Sequence, residues 1–348
     1  MSMNTVLRKL SVIVPCRNER RYIEQFCNGV MAQVLPEGFS LQLVIADGSS
    51  DDGTRELLEQ VSATDPRIQW IDNPRRIVST GLNRALSHAS GEVIVRMDVH
   101  TEYANDYLLQ CVAALAETGA DNVGGAWRAL PDDGAGPMQH AVAVAFQSRW
   151  VAGGARSRKL DHDGWVDTVY LGCWPRATFD RFGGFDEEMV RNQDDEHNLR
   201  LVRGGGRVWQ SSRIHSSYRP RASLEQVFRQ YLQYGYWKPF VMKKHGQPAS
   251  LRHLVPAVFV AGLVLLGVAA MLGAPAWPAV AWLLLYIAAI GAMTIGVALA
   301  ATPGLRVLVR VPAVIAAYHV GYGLGSLLGW WDVLRGGPGR ERFATLTR

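Results

Sequence analysis

The sequence predicts an α/β protein, a mostly parallel sheet with helices on both faces, followed by C-terminal transmembrane helices. Three observations predict it. Between residues 10 and 250, short apolar runs alternate with stretches of helical periodicity, less regularly beyond residue 120, the pattern of strand–helix–strand units. From Leu254 to Leu305 there is no Asp, Glu, Lys, Arg or His. At about 1.5 Å per residue that run is too long for one crossing of an apolar layer about 30 Å thick. Finally, polar clusters stand at the ends of the predicted strands.

The elements follow in order. "LSVIVP" (10–15), "LQLVIA" (41–46) and "EVIVRM" (92–97) are apolar runs of strand length. Between them, residues 20–33, 54–63 and 79–89 carry helical patterns. The first strand ends in "PCRNE" (15–19), the second in "DGSSDDGT" (47–54), the third in "MDVH" (97–100). Asp-Gly and Ser-Ser-Asp also suit turns and caps. Three such clusters on one edge point instead to a site, because ligands of open α/β sheets bind outside the carboxyl ends of the strands. Residues two apart on extended backbone face the same way, so Asp98 and His100 are expected to aim at one point, where a divalent cation fits.

Further on, 121–127 and 167–173 read as strands, 207–211 as an edge strand, and 153–165 as a polar, mobile loop. The stretch 183–205 places Asp194, Asp195, Glu196 and Arg200 at the start of a helix. Carboxylates in a first turn complement the helix dipole. They could also present a general base to the rim, worth typically 10²–10⁴-fold in rate. Residues 223–246 alternate aromatics with bases and predict an interfacial helix. Two spans follow, about 254–273 and 279–301, separated by "GAPAWP". Basic residues flank them: Lys243, Lys244 and Arg252 before, Arg306 and Arg310 after, which sets both flanks on the cytosolic side. The next apolar run, 311–331, would carry the arginine-bearing tail outside if it crossed, so it is expected to be re-entrant or interfacial.

Composition excludes other classes. The net charge is +5 over 348 residues, yet no Lys/Arg block interleaved with aromatics is present, so no nucleic-acid partner is expected. Cys16, Cys27, Cys111 and Cys173 have neither metal spacing nor a disulfide framework. The first strand begins too near Met1 to leave room for a signal peptide. No G-x-G-x-x-G follows a strand and no phosphate-binding P-loop occurs, so phosphates must be neutralised by side chains and metal.

"SVIVPCRNE", "VIADGSSDDGT", "GEVIVRMDVH", "YLGCWPRATFDRFGGFDE" and "QDDEHNLRL" together resemble glycosyltransferase family 2 over roughly residues 10–215. With "AYHVGYGLGSLLG" and the C-terminal spans, the likeness is to its bacterial exopolysaccharide, succinoglycan-type glucosyltransferase branch. The resemblance implies the GT-A fold, Rossmann-like, with a nucleotide-sugar donor. Pro15, Arg17, Asn18, Glu19, Asp47 and Asp98 would then bind nucleotide, with Asp47 at the base edge. Asp98 and His100 would hold Mn²⁺ or Mg²⁺, with His215 a further candidate ligand. Asp194 would be the catalytic base, and Glu196 and Arg200 would orient it. Trp174, Asp195 and Trp237 are expected on the acceptor side.

Two positions depart from the family pattern. His100 replaces an Asp, which favours Mn²⁺ over Mg²⁺. Gln193 replaces a Glu, which should leave Asp194 less raised in pKa. In "QYGYW" (233–237), Tyr236 stands where processive synthases carry Arg. The expected protein is an inverting, metal-dependent transferase. It moves a sugar, a UDP-sugar first, to a hydroxyl of a lipid-linked, undecaprenyl-type acceptor at the bacterial inner membrane. The expected parts are a cytosolic catalytic domain (1–220), a linker helix (221–252), a membrane domain (253–335) and a cytosolic tail (336–348). A polyprenol-phosphate sugar transferase and a non-catalytic, membrane-anchored nucleotide-sugar binder are the alternatives.

Overall fold

A computed structural model of the chain describes residues 8–151, 153–154, 156–247 and 250–336. All but the first residue of the expected tail lies outside the described residues. In chain order the elements are β1 (Arg8–Cys16), α1 (Ile23–Met31), β2 (Phe39–Asp47), α2 (Thr54–Thr64), β3 (Ile68–Asp72), α3 (Val78–His88), β4 (Val93–Arg96), β5 (Thr101–Tyr103), α4 (Tyr107–Thr118), β6 (Asn122–Gly125), β7 (Trp127–Ala129) and α5 (Pro137–Gln147). There follow β8 (Gly164–Val166), β9 (Tyr170–Pro175), α6 (Arg176–Phe182), α7 (Gln193–Arg203), β10 (Val208–Gln210), β11 (Ser216–Tyr218), α8 (Leu224–His245), α9 (Val255–Met271), α10 (Trp277–Ala301), α11 (Leu305–Leu308) and α12 (Val311–Arg335). The chain divides into two units, Met1–Arg128 with Lys159–Tyr218, and Ala129–Arg158 with Arg219–Arg348.

The first unit is built on an eight-stranded sheet in the order β3-β2-β1-β4-β9-β6-β10-β8. β1, β2, β3 and β4 run parallel. Alternation along β1 sends Val12 and Val14 into one core and Ile13 into the other. All three are fully buried, each stabilising the fold by about 1.5–3 kcal/mol. Helices therefore cover both faces.

Three sequence expectations change here. β9 runs antiparallel between β4 and β6, because an apolar run records burial and not direction. β10 is an interior strand: β8, from the stretch expected to be a mobile loop, pairs outside it. β3 was not anticipated; its burial is partial, which weakens its apolar signal.

The second unit contains three helical segments long and apolar enough to cross a membrane: Leu251–Met271, Trp277–Ala301 and Leu305–Arg335. In their most apolar stretches, 11%, 6% and 33% of residues are buried in the protein, so only the third packs extensively on its own chain. Its contact is with α8. A Cβ on Gly321, Gly325 or Gly329 would run into the backbone of Phe228, Leu232 or Tyr236, and one on Gly235 would meet the Tyr322 carbonyl. The pairings advance together along both helices, so α8 and α12 run parallel with backbones touching. Tyr236 donates to Asp332 at 2.7 Å across this seam. Trp237, expected on the acceptor side, is 2% exposed on α8, with Tyr236 and Phe240 against its ring. α5 belongs to this unit rather than to the first: its Phe146 ring lies 5.5 Å from that of Tyr231.

Candidate active site

β1, β2 and β4 are adjacent and parallel, so the turns after them share one rim. Register places Cys16 beside Asp47 and Ile13 beside Arg96. The first two turns are laced together. Asn18 N–H donates to Ser50 Oγ at 2.7 Å, and Asp51 N–H to Asn18 Oδ1 at 2.9 Å. Glu19 N–H donates to Thr54 Oγ1 at 2.7 Å. Asp47 is fully buried. It accepts from Ser50 Oγ at 2.5 Å and Ser50 N–H at 3.1 Å, with Arg55 Nε 3.5 Å away. Its carboxylate thus shapes the 48–53 turn from beneath.

The third turn joins through His100, whose Nε2 lies 2.8 Å from Glu19 Oε2. Its ring meets that of Tyr22 edge-on at 5.0 Å. The pair expected on one face, Asp98 and His100, is not the pair that forms. β4 ends at Arg96, and the chain turns after Met97, with Thr101 N–H donating to Asp98 O at 3.1 Å. The i, i+2 relation holds instead for Arg96 and Asp98. The guanidinium grips the carboxylate with Nε–Oδ1 at 3.1 Å and Nη2–Oδ2 at 3.0 Å. Tyr103 Oη accepts from Asp98 N–H at 2.7 Å and donates to Asp98 O at 3.1 Å. Because β9 is antiparallel, it starts at this rim, and Tyr170 Oη lies 2.9 Å from Thr101 Oγ1.

Asp194 enters from the first turn of α7. Asp195 N–H donates to Asp194 Oδ1 at 2.9 Å. Burial raises the Asp194 carboxyl above its ordinary value, and the adjacent Asp195 adds to this while the Arg96 charge opposes it. The loss of charge at Gln193 therefore does not spare Asp194, since Asp195 supplies the like charge. Arg96 feels both Asp98 and Asp194, which brings the two carboxylates within electrostatic range of one guanidinium. α7 is held in place from behind. Glu196, fully buried, pairs with Arg200 at 2.9 Å, and Arg200 donates to the carbonyls of Phe182 and Gly184. His197 packs among Trp174, Phe179 and Phe185, where burial pushes its imidazole down to about 4. Trp174, expected to meet the acceptor, is 1% exposed in this aromatic core, out of reach of any ligand.

Strain concentrates on the same rim. Of six described non-glycine residues with positive φ, four are Asn18, Ser49, Leu171 and Asn192. Leu171 is the telling one, because a branched, non-Asx side chain gains nothing locally from that conformation. Sequence reasoning missed Arg96, Tyr103 and Tyr170. Arg96 could have been found by applying the same i, i+2 argument two residues earlier.

No group of three His, Cys, Asp or Glu side chains able to hold a metal occurs among the described residues. His215 is exposed and sits just before β11. It therefore forms no ligand set with Asp98 and His100. A small hard cation needs only one or two protein carboxylates when phosphates supply the rest. Asp98 is one-third exposed, and each of its oxygens keeps a lone pair beyond the Arg96 fork. This suits a cation that arrives with a diphosphate rather than a resident one.

A mixed sheet whose parallel strands β1, β2 and β4 end at an acidic rim, closed by a helix that presents carboxylates, is the arrangement of a GT-A glycosyltransferase. The comparisons agree. The family model for glycosyl transferase family 2 matches residues 11–174. The succinoglycan biosynthesis protein ExoA of Rhizobium meliloti (strain 1021) is 33% identical over 247 residues, 70% of this chain and 73% of that protein. A dolichyl N-acetyl-alpha-D-glucosaminyl phosphate diacetamido-dideoxy-glucuronosyltransferase of Methanococcus voltae is 23% identical over 243 residues, 68% of this chain and 74% of that one. In fold, the chain resembles the mannosyltransferase PcManGT of Pyrobaculum calidifontis, solved with GDP-Man and Mn²⁺, with a TM-score of 0.58 at 20% identity, covering 94% of this chain and 89% of that one. It also resembles S. aureus TarS 1-349, with a TM-score of 0.51 at 15% identity, covering 94% and 92%. The chain belongs to glycosyl transferase family 2.

Proposed function

We propose that the chain is an inverting glycosyltransferase that moves a sugar from a nucleotide diphosphate donor, a UDP-sugar first, to a hydroxyl of a lipid-linked saccharide in cell-surface polysaccharide synthesis. The observation that carries this reading is the grouping of Asp98 and Asp194 about Arg96 on the rim laced together by Asn18, Glu19 and Ser50. The names of the two relatives support the process and a polyprenyl-type carrier.

In this reading, Arg17, Asn18 and Glu19 line the nucleotide, with Pro15 behind them. Asp47 acts on the base through Ser50, because its own carboxylate is out of solvent. Asp98 would hold a divalent cation, Mn²⁺ or Mg²⁺, together with the diphosphate, and His100 is its nearest nitrogen donor in sequence. That cation supplies neutralisation of the leaving diphosphate. Asp194 takes the proton of the attacking hydroxyl, and α7 fixes its position through Glu196 and Arg200. Asp195, next to the base, remains on the acceptor side. The alternative, a lipid-phosphate acceptor, would draw on Arg219, Arg221 and Arg229; of these Arg219 donates to Pro131 O at 2.6 Å and Arg229 pairs with Glu225 at 2.7 Å.

The test is incubation of membranes carrying the full chain with radiolabelled UDP- and GDP-sugars, followed by lipid extraction. Label should enter lipid, stop with excess chelator and return with Mn²⁺. Asp194→Asn should lower turnover by about 10²-fold or more while donor binding survives. Near-normal turnover in that variant removes Asp194 from the role, and full activity in chelator removes the cation.

A further inference from the structure

The guanidinium about which Asp98 and Asp194 group has no task of its own in this scheme. Arg96 is 6% exposed. Two of its nitrogens are spent on Asp98, at 3.1 and 3.0 Å. The third, Nη1, is buried without a hydrogen-bond partner. Leaving a buried donor unsatisfied costs about 1–3 kcal/mol, more for a charged group. Support of Asp98 alone would not require the cost, since the bidentate edge already completes that task. An orphaned charged donor at a functional rim calls for an explanation, and a contact completed when something else moves or binds supplies one. The anionic group in electrostatic range that Arg96 does not already grip is Asp194. Arg96 also feels the Tyr170 phenol, while Asp195 acts on Asp194 and the Tyr103 phenol lies against Asp98.

We propose that Arg96 is a positioning residue for the transfer: its Nε/Nη2 edge fixes Asp98, and its free Nη1 edge aligns the Asp194 carboxylate when substrates occupy the cleft. This rests on Asp194 being the base. In the step it serves, the acceptor O–H bond breaks and its proton goes to an Asp194 oxygen. The oxygen's electron pair forms the bond to the anomeric carbon, and the bond from that carbon to the diphosphate breaks with its pair leaving on the nucleotide. A guanidinium that spans both carboxylates keeps the base in line with the leaving group, and near-attack geometry of this kind is sensitive to shifts of an ångström.

The test is a double-mutant cycle on the full chain in nanodiscs, with UDP-glucose as the first donor probe and extracted lipid as acceptor. Arg96→Gln should lower kcat by about 10-fold or more while donor KM moves less than about 3-fold. Arg96→Lys should recover part of the loss. In an Asp194→Asn background, Arg96→Gln should cost less than about 2-fold, because residues acting as a unit are non-additive. Losses that multiply in the double variant overturn the proposal. So does a loss in Arg96→Gln that merely follows its thermal unfolding, with Arg96→Lys folded but no more active. Near-normal turnover of Asp194→Asn alone overturns the base reading separately, before any Arg96 variant is assayed.

Discussion

Asp194 carries a tension that can be measured. Its carboxyl is raised by burial and by Asp195, and only partly relieved by Arg96. A base must be ionised, so kcat/KM should fall as pH drops through this raised value, with the acid limb above the ordinary Asp value near 3.9. The stability effect has the opposite sign. A raised folded-state pKa means that the folded protein prefers the protonated form. The stability it contributes is present at low pH and lost as pH rises through the raised value. Asp194→Asn, which cannot ionise, should therefore unfold at the same or higher temperature than the unsubstituted chain near pH 7, with the difference shrinking toward pH 4. Thermal melts at several pH values check this, and a melting point well below the parent at pH 7 would contradict it. Asp194 was legible through the family resemblance of "QDDEHNLRL", since a first-turn carboxylate by itself also suits the helix dipole. It did not reveal that Asp47 is sealed beneath Ser50, or that Trp174 is core. Burial depends on which strands become neighbours, and β9 looks the same in sequence whether parallel or antiparallel.

At the scale of elements, the strands and helices up to β4 were readable from period alone, β3 excepted, and the glycines of α12 were not. The arginine-bearing tail was the ground for expecting a re-entrant or interfacial segment at 311–331, and Gly321, Gly325 and Gly329 within it carried no reading. They form the face on which α8 lies, backbone against backbone. Helices meet this closely only where no Cβ intervenes. Gly325→Ala should therefore destabilise by roughly 1–3 kcal/mol, although Ala is the better helix former by about 1 kcal/mol. A methyl group added at Gly267 on α9 would meet nothing within 4 Å, so Gly267→Ala should leave stability unchanged or slightly raise it. Thermal unfolding of both variants in detergent decides the point. Equal effects would mean that the seam is looser than its geometry. The same seam explains Tyr236: where processive synthases carry Arg, this chain has a phenol buried against α12 and bonded to Asp332.

At the scale of the whole molecule, the question is how many of the three apolar segments cross a bilayer. α9 and α10 are largely bare of protein contact, whereas the third segment is one-third buried in its most apolar stretch and lies along α8. α8 ends in Lys243, Lys244 and His245, and such residues are retained on the cytosolic side. A helix that runs parallel to α8 with touching backbones shares its level relative to a membrane. We propose on this ground that two crossings return the chain to the side on which it began, with Arg306 and Arg310 cytosolic and the third segment held there. The prediction is that a cysteine introduced at Thr345 reacts with a membrane-impermeant maleimide only after cells are opened. The background is low, because Cys16, Cys27, Cys111 and Cys173 are all buried thiols, and burial pushes Cys27 up to about 12. Labelling of intact cells at Thr345→Cys would instead mean three crossings, with α8 drawn into the bilayer beside α12.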